Sequence, residues 1–121
     1  MHELGIAEGV IGQVTEKLPG ARITRVCLEI GALSGVAADS LRFSFGLAAE
    51  GTALEGARLE ITEPAARCRC RSCGDEFSSD GPVALCPCGS ADVTVLSGAG
   101  LRITSVSCSD GTVIRAHEPS G

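Results

Sequence analysis

The chain has 121 residues, of which 44% are hydrophobic, and a formal net charge of −5 at pH 7. Length and composition predict one compact domain with a small appendage, and the acidic balance disfavours nucleic acid as a partner, because phosphates reward a basic surface. No apolar run reaches the roughly 20 residues that a membrane helix needs, and no basic stretch precedes an apolar segment at the N-terminus, so we expect a cytoplasmic protein with neither a membrane span nor a signal peptide.

Two segments have the apolar spacing of amphipathic helices. Over residues 4–18 apolar side chains recur at three- and four-residue steps and predict a helix with one face in the core. That stripe consists of Leu4, Ala7, Val10, Ile11, Val14 and Leu18. Residues 40–50 repeat the spacing, and Gly51 is a natural stop for this second helix.

Three segments alternate apolar and polar residues, as half-buried strands do. They are ITRVCLEIG (23–31), ARLEITE (57–63) and LRITSVSC (101–108). The order helix, strand, helix, strand, cysteine segment, strand predicts an α+β fold, in which two helices cover a three-stranded sheet. The tail from Ser109 onward is expected to be loosely held.

Seven cysteines distinguish the chain, and five of them fall within residues 68–88. They are Cys27, Cys68, Cys70, Cys73, Cys86, Cys88 and Cys108. An odd number without export signals argues against a disulfide framework, and the clustering favours a metal site.

Two tight cysteine pairs, each followed by a glycine, predict a zinc site. The first pair is Cys70 and Cys73, and the second is Cys86 and Cys88. Two such knuckles can deliver four thiolates in the tetrahedron that Zn(II) prefers. The glycine allows a positive φ, and its amide and its neighbours' amides can then donate hydrogen bonds to the sulfurs. Four thiolates leave no open position, so we expect a structural zinc rather than a catalytic one.

The module has two irregular features. Only Pro87 separates the cysteines of the second pair, where a knuckle normally has two residues between them. Cys68 is a spare candidate ligand, or else a side chain on a strand that enters the module. Cys27 and Cys108 lie in strand patterns and are interpreted as small core residues.

His2 can use the α-amine one residue away. The Met1 amine, the His2 backbone nitrogen and imidazole Nδ1 can together close fused chelate rings, and such nitrogen ligands suit Ni(II) or Cu(II). From the dipeptide alone, an accidental surface histidine is the better interpretation.

The order of several motifs resembles the HypA/HybF family of hydrogenase maturation nickel chaperones over about residues 1–106. The motifs are MHE, LEIGALSGV, SLRFSF, AEGTALEGARLEI, CRSCG, CPCGS and GLRI. The family's second cysteine pair has the form Cys-Pro-x-Cys, one residue longer than here.

The resemblance implies a nickel-binding domain that uses His2, with Glu3 beside it to tune the nickel site or contact a partner. We expect this domain to comprise residues 1–66 and 99–121, and a zinc-ribbon-like domain to comprise 67–98. The resemblance also implies Ni(II) as cargo, delivery to the large subunit of [NiFe]-hydrogenase, a HypB-type GTPase partner and, in many members, a homodimer.

Two other functions are compatible with the residues. A zinc-ribbon adaptor without a nickel role would use the cysteine module alone, and so would a metal-responsive accessory of an enzyme. No nucleophile–base pair, phosphate-binding glycine loop or paired-carboxylate motif favours catalysis, so we expect a binding protein rather than an enzyme.

Overall fold

The computed structural model describes residues 2–81 and 83–116. Within them it contains two helices, α1 (His2–Lys17) and α2 (Ala38–Ala49). Its strands are β1 (Ile23–Ile30), β2 (Arg58–Thr62), β3 (Ala66–Cys70), β4 (Glu76–Ser79), β5 (Val93–Ser97), β6 (Leu101–Cys108) and β7 (Val113–Arg115). Both predicted helices and all three predicted strands are present, so the α+β fold class is confirmed.

The chain forms two compact units, and both are discontinuous in sequence. The first comprises Met1–Leu28, Val36–Ile61 and Ile103–Gly121, and the second comprises Glu29–Gly35 and Thr62–Arg102. The predicted second domain, 67–98, lies inside the observed Thr62–Arg102 segment, and residues 29–35, which the sequence assigned to the first domain, belong to the second unit. The metal functions assigned to the two parts stay predictions.

In the first unit, α1 and α2 pack against each other through the predicted apolar stripes. The buried helical side chains are Ala7, Val10, Ile11, Val14, Leu41, Phe45 and Ala49. The prediction was wrong at Leu4, which is 37% exposed. The first helix also begins earlier than predicted, at His2, where Glu3 places a carboxylate in the positively polarised first turn.

A sheet with the strand order β2-β1-β6-β7 contains the predicted strands. In β1 the alternation is as predicted, with Val26, Leu28 and Ile30 buried. The sheet has four strands rather than three, because β7 pairs antiparallel with β6. The prediction of a loose tail from Ser109 was therefore wrong up to residue 116, since a strand of three residues is too short to show periodicity. Residues 117–121 lie outside the described residues.

The second unit contains a sheet of its own, with the order β4-β3-β5 and antiparallel pairing. Alternate residues of β3 are buried, namely Ala66, Cys68 and Cys70, so this strand inserts two cysteines into the unit. Gly98 lies against the same strand, and a Cβ added there would be 2.5 Å from Ala66 Cα. The backbone can approach this closely only because residue 98 has no side chain.

Candidate metal centres

The second unit brings together the four cysteines that the sequence predicted as zinc ligands. The Sγ atoms of Cys70, Cys73, Cys86 and Cys88 all lie within 4.8 Å of one another. Cys70 Sγ is 3.7 Å from Cys88 Sγ, and Cys73 Sγ is 3.6 Å from Cys86 Sγ. A tetrahedron with metal–sulfur bonds of about 2.3 Å has edges of about 3.8 Å, so this donor set fits a zinc ion.

The first knuckle is the turn that follows β3. The amide of Cys73 donates a hydrogen bond to Cys70 Sγ at 3.4 Å, and the amide of Cys70 donates to the Asp75 carbonyl. Gly74 has the predicted positive φ, 82°. Its amide donates to the Cys70 carbonyl oxygen instead of a sulfur, so this glycine closes the turn and a neighbouring amide contacts the thiolate.

The second knuckle forms a tighter turn, although it is one residue shorter. The amide of Gly89 donates to the Cys86 carbonyl oxygen at 2.8 Å, and Gly89 has a φ of 96°. The amide of Cys86 donates to the Ser90 carbonyl oxygen. With only Pro87 between the two cysteines, both sulfurs still reach the cluster.

A serine pair that the sequence did not reveal connects the knuckles. Ser72 Oγ lies 3.0 Å from Ser90 Oγ, and Ser90 Oγ also accepts a hydrogen bond from the Asp92 amide. Ser72 lies within the first cysteine pair, and Ser90 follows the glycine after the second pair. A position near a cysteine does not by itself predict this contact between the two serines. The contact exists only because the fold brings the two turns together.

The thiols of the cluster have unequal acidities. The amide of Cys73 lowers the pKa of Cys70 to about 6. At Cys86 the Cys88 amide favours the thiolate, but burial and the neighbouring sulfurs outweigh it and raise the pKa to about 12. At Cys73 the amide of Asp75 and the thiol of Cys86 favour the thiolate, but burial and the sulfurs of Cys70 and Cys88 outweigh them and raise the pKa. Crowded sulfurs resist carrying several negative charges, and a cation bound among them offsets this repulsion.

The other three cysteines lie outside the cluster. Cys68 is fully buried in β3, as the strand interpretation predicted. Cys108 is a buried core residue, as predicted. Cys27 is only partly buried, so the core interpretation was wrong there: its thiol lies 3.8 Å from Glu60 Oε2, on the face of β1 opposite Val26.

At the other candidate centre, His2 occupies the first position of α1, and its side chain is 61% exposed. Its Nε2 lies 3.4 Å from Oε2 of Glu3, whose side chain is only 16% exposed. That carboxylate also accepts a hydrogen bond from the Ala37 amide at 3.4 Å. Backbone amides at Glu3 and Ala37, followed by the charges of His2 and the chain terminus, lower the pKa of Glu3, which therefore stays ionised. The second histidine, His117, lies outside the described residues.

Within residues 2–81 and 83–116, neither helix is both long enough and apolar enough to cross a membrane.

Comparison with known proteins identifies the family. The model of a family described as "Hydrogenase/urease nickel incorporation, metallochaperone, hypA" matches residues 1–108. A hydrogenase maturation factor HypA from Nostoc punctiforme is 44% identical over 106 residues, which are 88% of this chain and 94% of that protein. The corresponding factor from Chlorobium limicola is 45% identical over 115 residues, 92% of this chain and 99% of that protein.

A solved structure has the same fold. The solution structure of the Ni metallochaperone HypA from Helicobacter pylori matches with a TM-score of 0.60 and 21% identity, over 89% of this chain and 97% of that one. The residues matched by the family model cover nearly the whole chain and include the N-terminal His2 and the four clustered cysteines. The chain therefore belongs to the HypA family of nickel metallochaperones for hydrogenase maturation, whose members are maturation factors and not enzymes.

Proposed function

We propose that this protein binds Ni(II) at its N-terminus and delivers it to the large subunit of [NiFe]-hydrogenase. The ligands are the Met1 amine, the deprotonated backbone nitrogen of His2 and imidazole Nδ1 of His2. The observation that carries the proposal is the exposed position of His2 at the start of α1, in a chain that belongs to a nickel-incorporation family.

The geometry around His2 supports such a chelate. Because Nε2 faces the Glu3 carboxylate, Nδ1 is directed away from that contact and is available to a metal. A carboxylate on the second ring nitrogen orients the imidazole and makes it a better ligand. The first amides of a helix have no partner within the helix, so binding through the His2 nitrogen breaks no helical hydrogen bond.

The charge of the helix terminus gives Glu3 a second role. The N-terminal end of a helix carries a partial positive charge, which opposes a bound cation. The ionised Glu3 carboxylate lies in that first turn and offsets the opposing charge. We therefore assign Glu3 to tuning the nickel site, while a contact with the partner protein remains compatible with its position.

We further propose that Cys70, Cys73, Cys86 and Cys88 hold one structural Zn(II). Their sulfur spacing supports this assignment, and four thiolates leave no open position for a substrate. In this division, residues 1–66 and 99–121 form the nickel domain and 67–98 the zinc domain. The protein acts in the cytoplasm with a HypB-type GTPase.

Titration of the zinc-loaded protein with Ni(II) tests the proposal. We expect one equivalent to bind to the wild type and none to bind specifically to His2→Ala, with zinc content and helical ellipticity unchanged. Gln13→Ala, at an exposed position of the same helix, is the matched control and should bind like the wild type. Because the ligands must lose protons, affinity should fall as the pH is lowered from about 8 to about 6.

A short N-terminal extension is the sharper variant, because it blocks the amine and changes no native residue. It should weaken nickel binding nearly as much as His2→Ala. Unaltered binding by the extended protein would refute the terminal chelate, even if His2 proved to be a ligand. A zinc-loaded wild type that takes up no nickel would instead favour the zinc-ribbon adaptor.

A further inference from the structure

An apolar groove lies between the N-terminal end of α1 and the outer face of α2. It has a volume of about 500 Å³, and its apolar lining consists of Leu4, Phe43 and Leu47. These side chains are 37%, 71% and 53% exposed, respectively. Three large apolar side chains that converge on one exposed groove are a feature of interaction sites, whereas scattered single ones are not.

The second helix is apolar on two faces. Leu41, Phe45 and Ala49 form the buried stripe that the fold requires. Phe43 and Leu47 lie four residues apart, so they are neighbours on a different face, which points to the solvent. Packing within the described part of the first unit does not account for this second stripe.

The rim of the groove is acidic. Glu3 and Asp39 contribute carboxylates, and no lysine or arginine is among the described residues that line it. Arg42, on the next turn of α2, pairs with Asp39 at 2.9 Å, but an exposed pair of this kind is weak and exchanges readily with another cation. The groove thus combines an apolar floor with negative charge at its edge, in a chain with a net charge of −5.

We infer that this groove binds an amphipathic segment of a partner protein, with apolar side chains on one face and lysine or arginine at its flanks. A groove formed by two helices is suited to an amphipathic helix. The inference extends the proposed nickel function and rests on it in one respect: Glu3 lines the groove and contacts His2, so a docked segment lies beside the nickel site. A partner bound there can accept Ni(II) before the ion reaches solvent.

The test uses a fluorescein-labelled helical peptide that has leucine at positions i, i+3, i+4 and i+7 and lysine at its flanks. Its acidic counterpart has glutamate in place of each lysine. By fluorescence anisotropy we expect the basic peptide to bind the full-length, zinc-loaded protein at least about tenfold more tightly, and its affinity to fall as salt is added. Equal binding of the two peptides, or no binding of the basic one, overturns the inference.

Protein variants locate the binding. Phe43→Ser and Leu47→Ser should each weaken binding of the basic peptide at least about tenfold, which corresponds to about 1.4 kcal/mol. Val83→Ser is the matched control, because Val83 is an apolar residue of the second unit with the same exposure as Phe43, 71%. If Val83→Ser weakens binding as much as Phe43→Ser does, the peptide does not bind specifically in the groove and the inference fails.

Two further measurements separate the possible failures. Phe43→Ser should keep the Ni(II) stoichiometry of the wild type, since Phe43 contributes no ligand. If the wild type binds no nickel but binds the peptide in the groove, the proposed function fails and the docking site stands. If Phe43→Ser converts a wild-type dimer to a monomer in analytical ultracentrifugation and the peptide does not compete, the occupant is a second copy and the inference is wrong.

Discussion

Removal of the proposed zinc ion should unfold the second unit and leave the first unit folded. Among the described residues of the second unit, the buried side chains are those of Ile30, Ala66 and three cysteines: Cys68, Cys70 and Cys86. A fully buried isoleucine contributes at most about 3 kcal/mol, whereas a structural zinc site contributes about 10–16 kcal/mol. The metal contribution is comparable with the whole stability of a typical domain, about 5–15 kcal/mol. Loss of the metal therefore leaves this unit without enough buried surface to stay folded.

Chelation followed by circular dichroism and hydrogen exchange measures this effect. Helices α1 and α2 lie in the first unit, so most of the ellipticity at 222 nm should survive the chelator. Amides of β3, β4 and β5 should lose their protection, while amides of α1 keep theirs. Added Zn(II) should restore the protection.

Cysteine variants supply the control within the second unit. Cys73→Ser/Cys88→Ser should hold no zinc and behave like the chelated wild type. Cys68→Ala changes a buried cysteine of β3 that lies outside the cluster, so it should keep one zinc per chain at some cost in packing. The reasoning is wrong if the double variant retains its zinc in full or if Cys68→Ala loses its zinc. It is also wrong if the helices and the second unit unfold together when the metal is chelated.

Three smaller perturbations test the local physics. Gly9→Ala should raise the free energy of unfolding of the first unit by about 1 kcal/mol in urea titrations, because Gly9 is exposed in α1 and an added Cβ meets no atom within 4 Å; an unchanged midpoint would contradict this. Gly98→Ala should destabilise the second unit by about 2 kcal/mol or more, measured by hydrogen exchange of β3, because φ is +90° and the new Cβ meets Ala66. The amide of Thr112 lowers the pKa of Asp110, so the stability that this carboxylate adds to the β6–β7 hairpin is present above the ordinary aspartate pKa of 3.8 and is lost as the pH falls below it. In an NMR titration the β7 amides of the wild type should lose their protection as the pH falls below 3.8. The β7 amides of Asp110→Asn should show no loss of protection in the same pH interval.

Much of the candidate zinc site could be predicted from the sequence, because its signal is local. Two cysteine pairs, each followed by a glycine, encode two turns, and the structure has both turns with positive φ at Gly74 and Gly89. The second pair has one residue fewer between its cysteines than a normal knuckle, so the sequence did not determine the geometry of this turn. Only the three-dimensional arrangement shows that a turn around Pro87 directs both sulfurs into the cluster, since this depends on where the two turns meet.

The sequence by itself determined the secondary structure of the α+β core, because periodicity is a property of neighbouring residues. The stripe of α1 and the alternation of β1 identify which face of each element is apolar. Whether that face is covered depends on residues far away in the chain. Leu4 continues the stripe of α1, yet only the tertiary structure shows it to be exposed beside Phe43, in a groove that no local pattern specifies. In the same way Cys27 and Cys68 both occupy strand positions, but only Cys68 is fully buried, because burial is decided by what packs against a strand and not by the strand itself.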